Sequence, residues 1–313
     1  MAETPSAVAR LAGNLSAASS AARGPALLEA MRPRQWAKNV FVFAGVVFAG
    51  RLFDAVALLR TAAIFAVFCA AASSVYLVND IIDKAQDQHH PLKRLRAIAS
   101  GRLSKGAAVA GAVALAAAAL AGAALLGTEP LAITAGYLLL TLAYSLRLKR
   151  FFLLDVMIIA AGFTLRAAVG AAAIGAAISD WLLCCSFLLA LFLALGKRRA
   201  ELTLLGRGAA ADHRAALSHY TLPLVDSWLT AISGATVVSY ALYTQSPRTV
   251  EHFGTESLVY TVPFVIYALF RYQYLLVREG QGGDPGAVLV RDPGLFVALV
   301  GWAVSAALII YRR

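Results

Sequence analysis

Three carboxylates, Asp80, Asp83 and Asp87, follow Asn79 at the end of an apolar run, within a segment (74–104) that reads SVYLVNDIIDKAQDQHHPLKRLRAIASGRLS. Their spacings put all three on one face of a continuing helix, where mutual repulsion is costly without a compensating cation. Oxygen ligands of this kind suit Mg2+, which uses one or two carboxylates together with substrate phosphates. An ordinary solvated helix end is the simpler alternative, yet acids in a last turn oppose the helix dipole. A calcium EF-hand loop fits badly: counted from Asp80 its required Gly and closing Glu fall on Ala85 and Pro91. His89 and His90 read as loop residues rather than ligands.

Lys93, Arg94, Arg96 and Arg102 come directly after the acids. Acids that hold a metal, followed by a basic run, describe a site for a metal-bound polyphosphate, with guanidinium groups pairing with the phosphate oxygens that the metal leaves. For Arg102 and Lys105 the ordinary excess of basic residues in cytoplasmic loops stays open as the reading.

The elements that carry this loop are membrane helices. The 313 residues are 60% hydrophobic and 14% charged, against roughly half and a quarter in soluble chains. About 20 apolar residues cross a bilayer as a helix, and nine candidate spans recur: 30–50, 55–78, 107–126, 131–146, 151–174, 178–196, 222–244, 258–274 and 295–311. In the first, Arg32, Arg34 and Lys38 have to lie at the aqueous end or snorkel there. The runs are continuous and Ala-rich without alternation, which excludes a β-barrel. The expectation is an all-α polytopic membrane protein. Residues 1–25, rich in Ala and Ser and lacking the apolar core of a secretory signal, are expected to form a disordered tail, and 26–313 one helical domain.

Most of the 28 Lys and Arg fall in segments 1–39, 79–106, 147–150, 197–221 and 271–292, whereas the alternate segments hold Arg51, Arg60, Arg248, Arg312 and Arg313. The positive-inside rule then places the N-terminus and the acidic loop in the cytoplasm and the C-terminus outside. That bias, with anionic lipid headgroups, accounts for the net charge of +11 without invoking nucleic acid. Cys69, Cys184 and Cys185 all lie in spans without metal or disulfide spacing, and read as small buried apolar residues.

Asn79-Asp80-x-x-Asp83-x-x-x-Asp87 at the cytoplasmic end of the second span resembles the first aspartate-rich motif of the UbiA superfamily of intramembrane prenyltransferases. The resemblance covers the chain from about residue 30. It implies a nine-span bundle, a magnesium-diphosphate held by Asn79, Asp80, Asp83 and Asp87, and Lys38, Asn39 and Arg94 or Arg96 around the diphosphate oxygens. Tyr144 and Lys149 resemble the family's tyrosine-to-lysine motif at a spacing one residue longer than the common one.

The chain departs from the superfamily where a second DxxxD motif is expected: it has Gly196-Lys197-Arg198-Arg199-Ala200-Glu201-Leu202. A basic run with one acid implies a site for further anionic oxygens rather than a second magnesium, with Lys197, Arg198 and Glu201 as substrate-binding residues. This segment, with MRPRQWAKN, HPLKRLRAIASG, AYSLRLKR, LDV and GFTLRA, is similar to the decaprenyl-phosphate phosphoribosyltransferase branch. The implied donor is 5-phosphoribosyl 1-diphosphate and the implied acceptor a polyprenyl phosphate, in a bacterial-type plasma membrane, for cell-envelope glycan synthesis. Arg166 lies near mid-span, where an arginine faces a cavity or a partner. Asp155, eleven residues earlier and about 16 Å away along a helix, cannot pair with it directly. A phosphate or network role and an ion pair with another helix both stay open. The competing classes are a conventional UbiA prenyltransferase with an aromatic acceptor and a transporter, whose polar residues would gather at the bilayer midplane. No periodic feature marks a subunit interface, so a homo-oligomer stays open.

Overall fold

The structure, a computed structural model, describes residues 25–89, 93–177, 179–213, 215–280, 283 and 285–311, with side chains between 205 and 215 excepted. The expected N-terminal tail, except for Pro25, lies outside the described residues, as do His90, Arg312 and Arg313. Described elements are helical throughout.

The longest uninterrupted apolar helix is α3 (Ala55–Ile82), which follows the short α1 (Ala26–Met31), a 3-10 helix over Pro33–Phe43, and α2 (Ala44–Phe48). Asp54 caps α3, its side chain accepting from the backbone amides of Val56 and Ala57 at 2.9 and 3.0 Å. Its 28 residues extend about 42 Å, beyond a hydrocarbon core of about 30 Å. The end bearing Asn79 and Asp80 therefore reaches the polar interface. After α4 (Lys84–His89) come α5 (Lys105–Leu126), α6 (Thr128–Leu146), α7 (Leu154–Ala173), α8 (Asp180–His213), α9 (Leu222–Gln245), α10 (Pro247–Phe253), α11 (Val262–Arg278), α12 (Pro285–Arg291) and α13 (Pro293–Tyr311).

Among the described residues seven helices are long and apolar enough to cross a membrane, or eight if α10 and the stretch Ser257–Arg278, bent by 100°, count as one broken span. The chain is an integral membrane protein of all-α fold. The first of the nine expected spans is instead broken into α1, the 3-10 segment and α2. The reason is local: Arg32 sits at φ 55° in the left-handed region and Pro33 follows it, so the first helix cannot continue.

α7 is the central element. Val156 packs with Phe192, Leu229 and Leu276 in one core, and Val169 packs with Ile64, Phe68 and Ala119 in another. The irregular N-terminal segment docks on α7 through two glycines: a Cβ at Gly170 would lie 1.8 Å from the Val42 carbonyl oxygen, and one at Gly45 2.3 Å from the Ala171 nitrogen. This approach is possible only without side chains, and it sets Asn39 beside Arg166. Arg60 donates to the carbonyls of Ala173 and Leu126 at 2.5 and 2.6 Å, capping α7 and α5 at the end of the bundle opposite the acids. Cys69 is buried as expected, but Cys184 is exposed and Cys185 only half-buried on α8. A thiol is apolar enough to face lipid as readily as a core.

Candidate active site

α3 does not continue through the acids. It stops at Asp83 (φ −85°, ψ 2°), and a new helix starts at Lys84, so the three carboxylates do not share one helical face as their spacing suggests. Asp80 and Asp87 are both buried and both meet Arg96: its Nη1 donates to Asp80 Oδ1 at 3.2 Å and to Asp87 Oδ2 at 2.6 Å. Arg32 also donates to Asp80 Oδ1 and lies over the Tyr76 ring at 5.1 Å. Asp83 turns instead to Lys149, whose Nζ donates at 2.8 and 3.1 Å to its two oxygens and at 3.3 Å to Asn79 Oδ1.

Each acid thus has a cation, and each cation comes from a different segment: the junction after α1, the loop after α4, and the 3-10 turn Leu148–Arg150 after α6. The loop bearing Arg96 is anchored twice. Ala97, Ile98 and Leu103 are buried against Ala30, Leu77 and Ala108, and Arg102 grips Glu29 through two hydrogen bonds of 2.6 and 2.7 Å. Lys38 and Arg94 are exposed near this cluster's segments.

The buried carboxylates fit a magnesium shared with a diphosphate. Among the described residues no three His, Cys, Asp or Glu side chains converge enough to hold a metal alone. Mg2+, however, needs only one or two carboxylates when phosphates and water complete its shell, and Asp80 and Asp87 already direct oxygens at one point, the Arg96 nitrogen.

Asn39 and Arg166 meet away from the acids. Arg166 is buried and donates to Asn39 Oδ1 at 2.8 Å, to the Gly162 carbonyl at 2.9 Å and to Tyr137 Oη at 2.7 Å. Its guanidinium also stacks near the Tyr137 and Phe163 rings at 4.9 and 5.1 Å. It is a network arginine with neutral partners, and Asp155 is not among them.

Asp155 belongs to a second cluster. It is 0% exposed and pairs through Oδ2 with Nε of Arg198, itself 2% exposed, at 2.9 Å. Tyr220 donates to Asp155 Oδ1 at 2.6 Å, and Arg198 also pairs with Glu201. Burial first, and then the Asp155 hydrogen bond, push the Tyr220 phenol well above the usual tyrosine range, so it remains a donor. Arg199 is engaged separately by Asp226 (2.5 and 3.3 Å) and the Leu276 carbonyl (2.9 Å). The KRRAE run is therefore not the open basic surface that its composition suggests: two of its three cations are buried in ion pairs, because unpaired charge there would be prohibitively costly. Lys197 is exposed.

Tyr144 lies on the last turn of α6, Lys149 in the following turn holds Asp83, and Asp155 stands in the first turn of α7. The segment between α6 and α7 thus joins the two clusters. Two non-glycine residues among those described have positive φ, Arg32 at 55° and Leu153 at 64°. Each stands at the entry to a cluster, and such strain costs about 1–3 kcal/mol. Arg32, Asp155, Tyr137 and Tyr220 were not singled out as site residues from sequence. Arg32 had a legible signal, a charge inside an apolar stretch; the other three become functional candidates only through their distant partners.

The sequence matches the UbiA prenyltransferase family over residues 39–284. A decaprenyl-phosphate phosphoribosyltransferase of Corynebacterium glutamicum is 36% identical over 91% of this chain and 86% of its own length, and one of Mycolicibacterium smegmatis is 33% identical over 91% and 92%. A UbiA homologue from Archaeoglobus fulgidus bound to DMAPP and Mg2+ has a similar fold (TM-score 0.68, 18% identity, covering 91% of this chain and 99% of that one). With the acid-bearing helix end, the bundle around it and relatives matched over nearly their whole length all in agreement, the chain belongs to the UbiA prenyltransferase family.

Proposed function

We propose that this protein is a magnesium-dependent transferase that moves 5-phosphoribose from 5-phosphoribosyl 1-diphosphate to a polyprenyl phosphate of the decaprenyl type. The observation that carries this is the match to relatives named decaprenyl-phosphate phosphoribosyltransferase, at 33–36% identity over 89–91% of the chain. The departure from DxxxD at Lys197–Leu202 supports it against a conventional prenyl transfer to an aromatic acceptor, and the gathering of polar groups at helix ends opposes a transporter.

In this reading Asn79, Asp80, Asp83 and Asp87 are the oxygen ligands for Mg2+, a role supported by the Mg2+ bound to the Archaeoglobus homologue. Bound magnesium supplies charge neutralisation on the departing diphosphate. Arg32, Arg96 and Lys149 move their hydrogen bonds from carboxylate to phosphate oxygens, an exchange of like for like, and Lys38, Arg94 and Lys197 extend the basic surface around the 5-phosphate and the acceptor. Asn39 and Arg166 keep the 3-10 segment seated on α7. The C1–O bond to diphosphate breaks with oxocarbenium character, and an acceptor phosphate oxygen bonds to C1 from the opposite face, inverting it. That phosphate is already an anion at neutral pH, so positioning and charge stabilisation carry the rate.

The polyprenyl tail enters laterally from lipid, and the water-soluble donor reaches the acid-bearing end from the cytoplasm of a bacterial plasma membrane. One UbiA-type domain from residue 26 onward accounts for the activity, and its product suits cell-envelope glycan assembly. The test is incubation of the detergent-solubilised protein with radiolabelled phosphoribosyl diphosphate, Mg2+ and decaprenyl phosphate, followed by organic extraction. Magnesium-dependent label in the lipid phase is expected. No label there, with turnover of a prenyl diphosphate and an aromatic acceptor, assigns the chain to the conventional chemistry instead.

A further inference from the structure

The second cluster has a negative balance. One guanidinium, Arg198, faces two carboxylates, Asp155 and Glu201, and Tyr220 contributes only a neutral hydroxyl. Arg199 adds no free charge, since Asp226 takes it up. Such a cluster repels phosphate, but a carboxylate accepts strongly from hydroxyl groups.

Glu201 is the member open to solvent, its side chain 28% exposed against 2% for Arg198 and 0% for Asp155. Its Oε2 is engaged by Arg198, whereas among the described residues Oε1 accepts no hydrogen bond. Lys149, on Asp83, stands in the turn that leads into α7, whose first turn holds Asp155 on Arg198, so one short segment joins this cluster to the donor site.

We infer that Glu201 reads the sugar of the donor, accepting hydrogen bonds from the ring hydroxyls of ribose, and that Asp155 and Tyr220 are positioning residues that hold Arg198 and, through it, Glu201. This rests on the phosphoribosyl reading above and adds which part of the donor the cluster recognises. It also gives the departure from DxxxD a selective purpose. A prenyl diphosphate offers no hydroxyl, and a site built to bond a hydroxyl discriminates strongly against a ligand lacking it. The burial of Arg198 and Asp155 follows as well: a carboxylate that must meet a particular hydroxyl needs a support that does not move.

The experiment is steady-state kinetics of the full-length protein in detergent, with phosphoribosyl diphosphate and its 2-deoxy and 3-deoxy analogues, for the unmodified protein, Glu201→Ala, Glu201→Gln and Tyr220→Phe. Glu201→Ala is expected to raise the donor KM about ten- to a hundredfold with the polyprenyl phosphate KM unchanged. At least one deoxy donor should be poorer by a similar factor for the unmodified protein, and Glu201→Ala should no longer distinguish it from the hydroxylated donor. Glu201→Gln, which keeps the packing and one acceptor oxygen, should fall between, and it carries the test should the alanine variant fail to fold. Tyr220→Phe should raise the donor KM a few-fold, again without moving the lipid KM. Equal losses on hydroxylated and deoxy donors, or donor and lipid KM rising together, overturn the inference while leaving phosphoribosyl transfer intact. An unmodified protein that turns over no phosphoribosyl diphosphate overturns both.

Discussion

The acid cluster at the end of α3 and the ion network between α7 and α8 are made of the same groups, carboxylates facing long cations, under different solvation. Around Asp80, Asp83 and Asp87 the cations Arg32, Arg96 and Lys149 keep between 16 and 29% of their side chains exposed, although Asp80 and Asp87 themselves are 4 and 3% exposed. Between α7 and α8 the central pair, Arg198 and Asp155, is 2% and 0% exposed. A cation open to solvent exchanges partners at little net cost, because water and incoming phosphate replace what is lost. A buried pair does not, because breaking it strands a charge where nothing else solvates it. The first arrangement suits an exchangeable substrate site and the second a fixed support, although both look like runs of acids and bases in the chain.

The strongest way to break this contrast is to remove one partner of the buried pair. Asp155→Ala leaves Arg198 short of a carboxylate in the interior and should cost about 3–5 kcal/mol of stability, read as an earlier unfolding midpoint in detergent. Asp83→Asn, at the half-open site, should stay within about 1 kcal/mol. Equal midpoints for the two variants would erase the distinction.

Activity should respond in the opposite sense. Asp80→Asn is expected to lower magnesium-dependent transfer by about 10²–10³, and chelation of the metal should have a like effect on the unmodified protein. Full turnover by Asp80→Asn would remove the acid cluster from the reaction.

A third network sharpens the rule for buried cations with neutral partners. Tyr137→Phe takes one hydrogen bond from Arg166 (2.7 Å), which should cost about 1.5–3 kcal/mol, less than Asp155→Ala since no charge loses its counter-charge. The smallest effect belongs to the exposed pair: Arg102→Ala, breaking contacts to Glu29, should cost about 0.2–1 kcal/mol and weaken further in salt. A larger loss would mean that Arg102 supports the Arg96 loop itself.

The acid cluster was legible because three Asp beside an apolar span contradict their surroundings, and the spans themselves because composition alone separates lipid-soluble from water-soluble segments. The break at Asp83 was not: nothing in NDIIDKAQD ends a helix by propensity, and the turn is seen only with Asp80 and Asp87 meeting at Arg96 while Asp83 turns to Lys149. The basic character of KRRAE was legible and misleading, since composition counts charges without showing that Asp155 and Asp226 neutralise them. The first span shows the converse case, in which Arg32 and Pro33 carried the local signal for a break that an apolar average smoothed over.

What the sequence alone determined is what depends on neighbours in the chain: helices that partition into lipid, their approximate ends, and an acidic cap at one of them, because transfer from water to hydrocarbon is governed by local composition. Which carboxylate meets which cation was decided only by the tertiary structure. Tyr220 and Asp155 are 65 residues apart and Arg166 and Asn39 are 127 apart; they meet because α7 packs against α8 on one side and receives the 3-10 segment at Gly170 on the other. Electrostatic pairing acts over a few ångströms of space, and only the packing of the bundle converts separation along the chain into that distance.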